Sequence, residues 1–261
     1  MAYQKLRPDE YAALPWEAKI RFNNFGERWI GTRKFGYNEN VGTSFEDVWV
    51  VGGNISFLSA ADTMDVVSDD AADTNSAGTG LRKVRLQGLD GDYNFVDEVV
   101  DLAGTTPVTT TNSFIRVFRA FSVETGSGEV NAGVISITDT TGGSDQAQIL
   151  AGDGQTLQAI YTTRAGYYGY VTGVAIGIGG DDVAITQLRT RAPTEGFRVR
   201  DQSNIAAGGI SQISLAQWCG GILVPPKTDI IVRSKKIGSG GTTSVSAAFS
   251  VFEIREEEVN V

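Results

Sequence analysis

The chain of 261 residues contains no histidine and a single cysteine, Cys219. Without imidazole, neither a Ser–His–Asp triad nor a Cys–His dyad can be built. Zinc sites made from His and Cys are excluded as well, because one thiolate is not a ligand set. One cysteine cannot form an intramolecular disulfide. Beside Trp218, in Gln217-Trp218-Cys219-Gly220, it reads as a small buried hydrophobe. No stretch approaches eighteen apolar residues, so no transmembrane helix is expected. Met1-Ala2-Tyr3-Gln4-Lys5 lacks the apolar core of a secretory signal, which predicts synthesis in the cytoplasm. Nothing calls for a metal or a cofactor. Leucine is scarce too, at 12 residues.

What is abundant points to strands. There are 32 Gly, 25 Val, 19 Ile and 24 Thr. β-Branched side chains favour extended backbone, and glycine favours tight turns between short strands. Charge is unevenly placed. Residues 1–40 hold seven basic and five acidic side chains, while the whole chain has 22 and 31. The first segment is therefore slightly cationic and the remainder carries the whole acidic excess. An acidic body argues against nucleic acid as a partner, since that surface needs a basic stripe.

The first 43 residues read as an arm with little regular structure. Pro8-Asp9-Glu10 suits a helical first turn and Pro15 stops it. No continuous apolar face follows, so this segment must dock, either across its own body or on a neighbouring subunit. Residues 44–256 read as a body of antiparallel β-strands, with 257–261 as an acidic tail. Arg82-Lys83-Val84-Arg85-Leu86 alternates with period two, Asp90-Gly91 turns the chain, and a return strand runs from Tyr93 to Leu102. Asp62 to Ser76, with five aspartates and no base, reads as a loop. Phe114 to Phe121 alternates with no clean apolar face, which suits an exposed or interface-facing strand. Gly126-Ser127-Gly128 marks a break where two subdomains would meet, near residues 125–130. Many short strands separated by turn signals predict an all-β, antiparallel sandwich of jelly-roll type.

Several local patterns have a chemical and a structural reading. Asp90-Gly91-Asp92-Tyr93-Asn94 places oxygen ligands like the start of a calcium loop. Phe95 stands where such a loop needs glycine, and a hairpin turn is the better reading. Gly177-Ile178-Gly179-Gly180-Asp181-Asp182 lacks a phosphate-loop spacing and reads as a turn. Asp97/Glu98 and Asp181/Asp182 are candidate carboxylate pairs for glycoside hydrolysis, but adjacent residues in a strand point to opposite faces. No catalytic residue is assigned, and an enzyme is not expected. The arm is more informative. Trp16, Phe22, Phe25 and Trp29 are of the types that anchor interfaces, and with Arg33 and Lys34 they are the expected subunit contacts.

Several ordered blocks carry a resemblance. They include Gly78-Thr79-Gly80-Leu81-Arg82-Lys83-Val84-Arg85-Leu86-Gln87-Gly88-Leu89-Asp90 and Asp101-Leu102-Ala103-Gly104-Thr105-Thr106-Pro107. Gly154-Gln155-Thr156-Leu157-Gln158-Ala159-Ile160-Tyr161-Thr162 and Val224-Pro225-Pro226-Lys227-Thr228-Asp229-Ile230 follow in the same order. Together, over residues 37–256, they resemble a family of virion structural proteins of marine tailed bacteriophages. Thr163-Arg164-Ala165-Gly166-Tyr167 departs from the Val-Pro-Ala-Gly-Lys turn frequent in that family, and the arm lies outside the resemblance. The resemblance implies a particle component. The expected role is a head decoration or cement protein, a trimer, bound to the capsid protein of its virion. A neck, tail or fibre part that adheres to host glycan is the alternative, and a polysaccharide hydrolase is a third.

Overall fold

The computed structural model describes residues 29–213, 221–238 and 241–259, and every regular element in them but a terminal 3-10 turn is a β-strand or bridge. All strand pairs are antiparallel. The strands form four sheets, grouped in two pairs, each pair enclosing an apolar core.

The first pair holds strands from both ends of the chain. One sheet orders β1 (Trp29–Asn38), β17 (Thr243–Arg255), β11 (Tyr167–Gly180) and β14 (Ile210–Ile213), with β15 (Ile222–Val224) also beside β11. The facing sheet orders β10 (Ile160–Thr162), β16 (Asp229–Ile237), β12 (Val183–Arg191) and β13 (Arg198–Ile205), with β2 (Glu46–Asp47) also on β16. Every connection crosses between these sheets except β12 to β13 and two steps along one row, β14 to β15 and β2 to β10. Alternate residues of β11 and β17, among them Val174, Ile176, Val245, Phe249 and Val251, point inward against Leu188, Ile230 and Val232. This is the period-two burial expected of a half-covered strand.

The second pair is inserted into the first. β2 and β10 occupy successive positions on one row. Asp47 lies opposite Arg233 and Ile160 opposite Ile231. Between them, Val48 N donates to Val232 O at 2.9 Å, and Val232 N donates to Ala159 O at 3.1 Å. Ala159 N donates to Val48 O at 2.9 Å, which closes the gap. The chain thus leaves the row at Val48 and returns at Ala159. Gly36 of β1 sits over this seam, where a Cβ would lie 2.1 Å from Val48 O and 2.3 Å from Ala159 N. Only glycine fits there.

The insertion carries two smaller sheets. One orders β6 (Val108–Thr109), β3 (Met64–Ser68), β8 (Ile135–Asp139) and β9 (Asp145–Ile149), and the other β5 (Phe95–Asp101), β4 (Leu81–Leu89) and β7 (Arg116–Thr125). Met64, Val66, Leu86, Phe114, Ile135 and Ile137 fill the space between them. The β4–β5 hairpin forms as its sequence predicts, with Asp90 Oδ1 accepting from Asp92 N and Asn94 N at 2.9 Å.

Four expectations need correction. Residues 29–38, assigned to an irregular arm ending at 43, are a ten-residue strand paired along its length with β17. No subdomain boundary falls at 125–130. β7 and β8 share one core, and the boundary is the seam at Val48 and Ala159. The Asp62–Ser76 run contains β3, whose Met64, Val66 and Ser68 are buried, and Asp73 after it is buried too, accepting from Leu81 N, Ala132 N and Gly133 N. Gly177–Gly180 extend β11, and the turn is confined to Asp181-Asp182.

Candidate functional site

Trp16, Phe22, Phe25 and Cys219 lie outside the described residues. Trp29 opens β1, its backbone opposite Ile254. Arg33 is exposed on the outer face of β1. Lys34 is not a surface contact. It points into the interior, where Nζ donates to Phe118 O and lies 5.6 Å from the Phe118 ring. Burial, with Arg119 nearby, pulls its ammonium down to about 7. Of the six expected interface residues, the two whose side chains can be compared thus diverge.

Lys34 belongs to a clasp between the two units. Phe118 packs on Tyr161 with ring centroids 5.1 Å apart. Gln158 Nε2 donates to Val117 O at 2.8 Å. The centre of the clasp is Asp229 on β16. It accepts from Arg116 Nε at 2.9 Å and Nη2 at 3.2 Å, from Arg191 Nη2 at 2.5 Å, and from Thr162 Oγ1 at 2.7 Å. Arg116 comes from the inserted unit, and its Nη1 also holds Leu58 O at 2.8 Å. The mixed faces of β7 now have a cause. Phe114, Val117 and Ala120 enter the core of the inserted unit, while Ile115 and Phe118 enter that of the other. The strand does face an interface, one internal to the chain.

The outer face of the β1–β17–β11–β14 sheet carries an apolar groove of about 650 Å³. Its floor is small: Ala175 and Gly177 of β11, Ser246 and Ala248 of β17. Phe35 and Tyr37 of β1 wall one side. Ile210 of β14 stands on the other, 85 % exposed. Ile210 thus stands open beside two aromatics and a flat floor. Sequence reading assigned Gly177 to a turn and so did not find this face. Its signal was the alternation of small with β-branched residues along both strands.

Both carboxylates of the Asp97/Glu98 pair have partners within the chain. Asp97 Oδ2 lies 3.2 Å from Arg85 Nη1. Glu98, on the other face of β5, accepts from Thr111 N and Asn112 N at 2.8 Å each. The two side chains therefore do not converge on a substrate.

No family model and no curated protein matches this sequence. Among solved structures, the chain is similar to infectious bursal disease virus, Gt strain, at 10 % identity, covering 89 % of this chain and 74 % of that one with a TM-score of 0.27. It is similar to T=1 particles derived from infectious bursal virus at 12 % identity, 88 % and 70 % coverage, and a TM-score of 0.26. For the VP2 subviral particle of infectious bursal disease virus the figures are 11 %, 89 % and 73 %, and 0.23. Values this low fix neither a fold nor a function.

Proposed function

We propose that the protein is a structural part of a virus particle, built on a jelly roll, which acts through contacts between subunits and not through catalysis. Support for the jelly roll comes from the strand order. Eight strand rows alternate between two sheets, with one adjacent pair, β12 and β13, kept in the same sheet. That is the winding of two Greek keys, an architecture used by viral capsid and lectin domains. Valine, isoleucine and phenylalanine pack the space between the sheets, which directs binding to the outside.

The single observation that carries the reading is the groove beside β1. Residues 1–28 lead directly into β1, at the edge of the sheet that bears it. They hold Trp16, Phe22 and Phe25, rings whose bulk suits a floor of glycine, alanine and serine. The occupant we assign is this segment from a neighbouring copy. Twenty-eight residues can span roughly 90 Å when extended, ample reach to another subunit. Repeated over a closed homo-oligomer, a trimer in the expected form, such exchanges add avidity and lock the assembly onto the capsid protein of its virion. The position within the particle that best suits this is decoration or cement on the head.

The test is truncation to residues 29–261, which preserves β1, together with Ala175→Trp in the full chain. Both should melt like the parent chain yet lose self-association and particle binding. A truncated chain that still assembles, or Ala175→Trp assembling as before, refutes the reading. If the segment instead lies on its own chain, truncation will expose the groove without changing the oligomeric state. A second reading, adhesion to host glycan, is favoured by a separate cleft on the opposite sheet.

A further inference from the structure

The outer face of the β10–β16–β12–β13 sheet is unlike the rest of an acidic chain. Arg189 and Arg191 of β12 and Arg233 of β16 alternate with buried Leu188, Thr190 and Val232, so all three guanidiniums rise from one face. The segment after β2 crosses above them, and a cavity of about 300 Å³ remains between it and the sheet. Asp47, Asn54, Phe57 and Phe197 complete the wall. Aromatic faces hold the cations in place. The Arg191 guanidinium carbon lies 4.6 Å from both the Phe57 and the Phe197 ring centroids, and that of Arg189 lies 5.0 Å from Phe197. Arg233 sits 4.2 Å from the Phe45 centroid.

The charges there do not balance. Asp229 is shared between Arg191 and Arg116 of the clasp. Asp47 is the other carboxylate, and its Oδ2 is taken by Ile55 N at 2.9 Å. Two acids thus face four guanidiniums. Arg233 gives Nε and Nη2 to one neutral acceptor, Gln187 Oε1, at 3.0 and 2.9 Å. Arg189 gives Nη2 to Phe197 O at 3.2 Å, and its Nε is buried with no hydrogen-bond partner among the described residues. A buried guanidinium N–H without an acceptor is costly, and a small turn of the Arg189 side chain toward the cavity would present it to an oxyanion. Burial pulls both Arg189 and Arg233 below the usual guanidinium range, and Arg189 adds repulsion at Arg233.

We propose that this cleft binds the acid group of an anionic saccharide, a uronate carboxylate or a sulfate ester, between Arg189 and Arg233. The cavity is at the small end of ligand sites, which suits a single sugar ring better than an extended acidic peptide. The Asn54 amide on its wall can meet a ring hydroxyl. The proposal is independent of the groove on the other sheet.

The experiment titrates the full chain with glucuronate, glucose 6-sulfate, glucose and acetate, followed by calorimetry or by NMR. Glucuronate or the sulfate ester should bind and glucose should not, and comparing the two acids identifies the source. Arg189→Gln should weaken binding about tenfold, as loss of one charge-assisted contact predicts. Should Arg189→Gln fail to fold, Asp47→Asn provides the converse, removing a competing charge and tightening binding. Truncation of residues 1–28 should leave binding unchanged, so the two proposals fail separately. Glucose binding as well as glucuronate overturns the inference, and so does acetate binding as tightly as the sugar acid. Binding indifferent to both substitutions overturns it too. Self-association that disappears in Arg189→Gln would assign the cleft to an acidic protein surface instead, and equally overturns it.

Discussion

The chain has no histidine, the usual group that titrates near neutrality, yet the fold makes another such group of Lys34. By sequence Lys34 belongs with the aromatic segment's expected subunit contacts. Its inward direction depends on the register of β1 against β17, where it lies opposite Phe249. Register across more than two hundred residues is not written in local pattern. The buried amine has a consequence for stability. Its folded value, about 7, lies below its unfolded value, so the unfolded chain binds the extra proton between pH 7 and 10.5. Stability should therefore rise with pH in that window, by about 1.4 kcal/mol per unit from this group. Chemical denaturation at pH 7, 8.5 and 10 should show the parent chain gaining on Lys34→Met by several kcal/mol in all. Parallel pH profiles for the two chains would contradict this placement.

Asp47 has the opposite sign. Burial raises its carboxyl to about 6 despite Arg233 and Arg189 nearby. The folded state then holds the proton longer than the unfolded state, and stability falls as pH climbs from about 4 to about 6. The total is on the order of 3 kcal/mol. Asp47→Asn should remove that decline while keeping an acceptor for Ile55 N. The comparison of both chains at pH 4 and 7 measures it directly.

At the scale of elements, hairpins were legible and long-range rows were not. Asp90-Gly91 between alternating strands announced β4 and β5, because turn chemistry and register are local. The seam joining β2 to β10 was invisible, since Val48 and Ala159 meet only after a whole inserted unit has folded between them. The mixed faces of the Phe114–Phe121 stretch suit an exposed or interface-facing strand. Their cause, two cores on either side of one strand, needed the structure. The seam makes a sharp prediction: Gly36→Ala places a methyl against backbone atoms and should cost about 3 kcal/mol, seen as a lowered denaturation midpoint. At the clasp, Asp229→Asn leaves buried Arg116 and half-buried Arg191 without their shared carboxylate. The expected loss is about 3–5 kcal/mol. Calorimetry should also resolve two transitions where the parent chain has one, because this carboxylate joins units with separate cores.

At the scale of the molecule, an all-β body was evident from composition, and turn spacing pointed to sheets packed in pairs. What composition could not supply was the nesting of one unit inside a strand row of the other. That nesting leaves two outer faces of contrasting chemistry, an apolar groove on one sheet and a cationic cleft on the other. The groove is the face on which subunit contacts are proposed to depend. Its floor and the aromatic arm can be joined chemically to ask which chain supplies the arm. Cys219 is first changed to serine. One preparation then carries Ala175→Cys in the groove and a second carries Phe25→Cys in the arm. The two are mixed under oxidising conditions and resolved by mass. Arm exchange predicts a disulfide between the two different chains, lost when Ala248→Trp crowds the groove. A cross-link that forms only when both cysteines are placed in the same chain, or none at all in an assembled particle, would contradict the account.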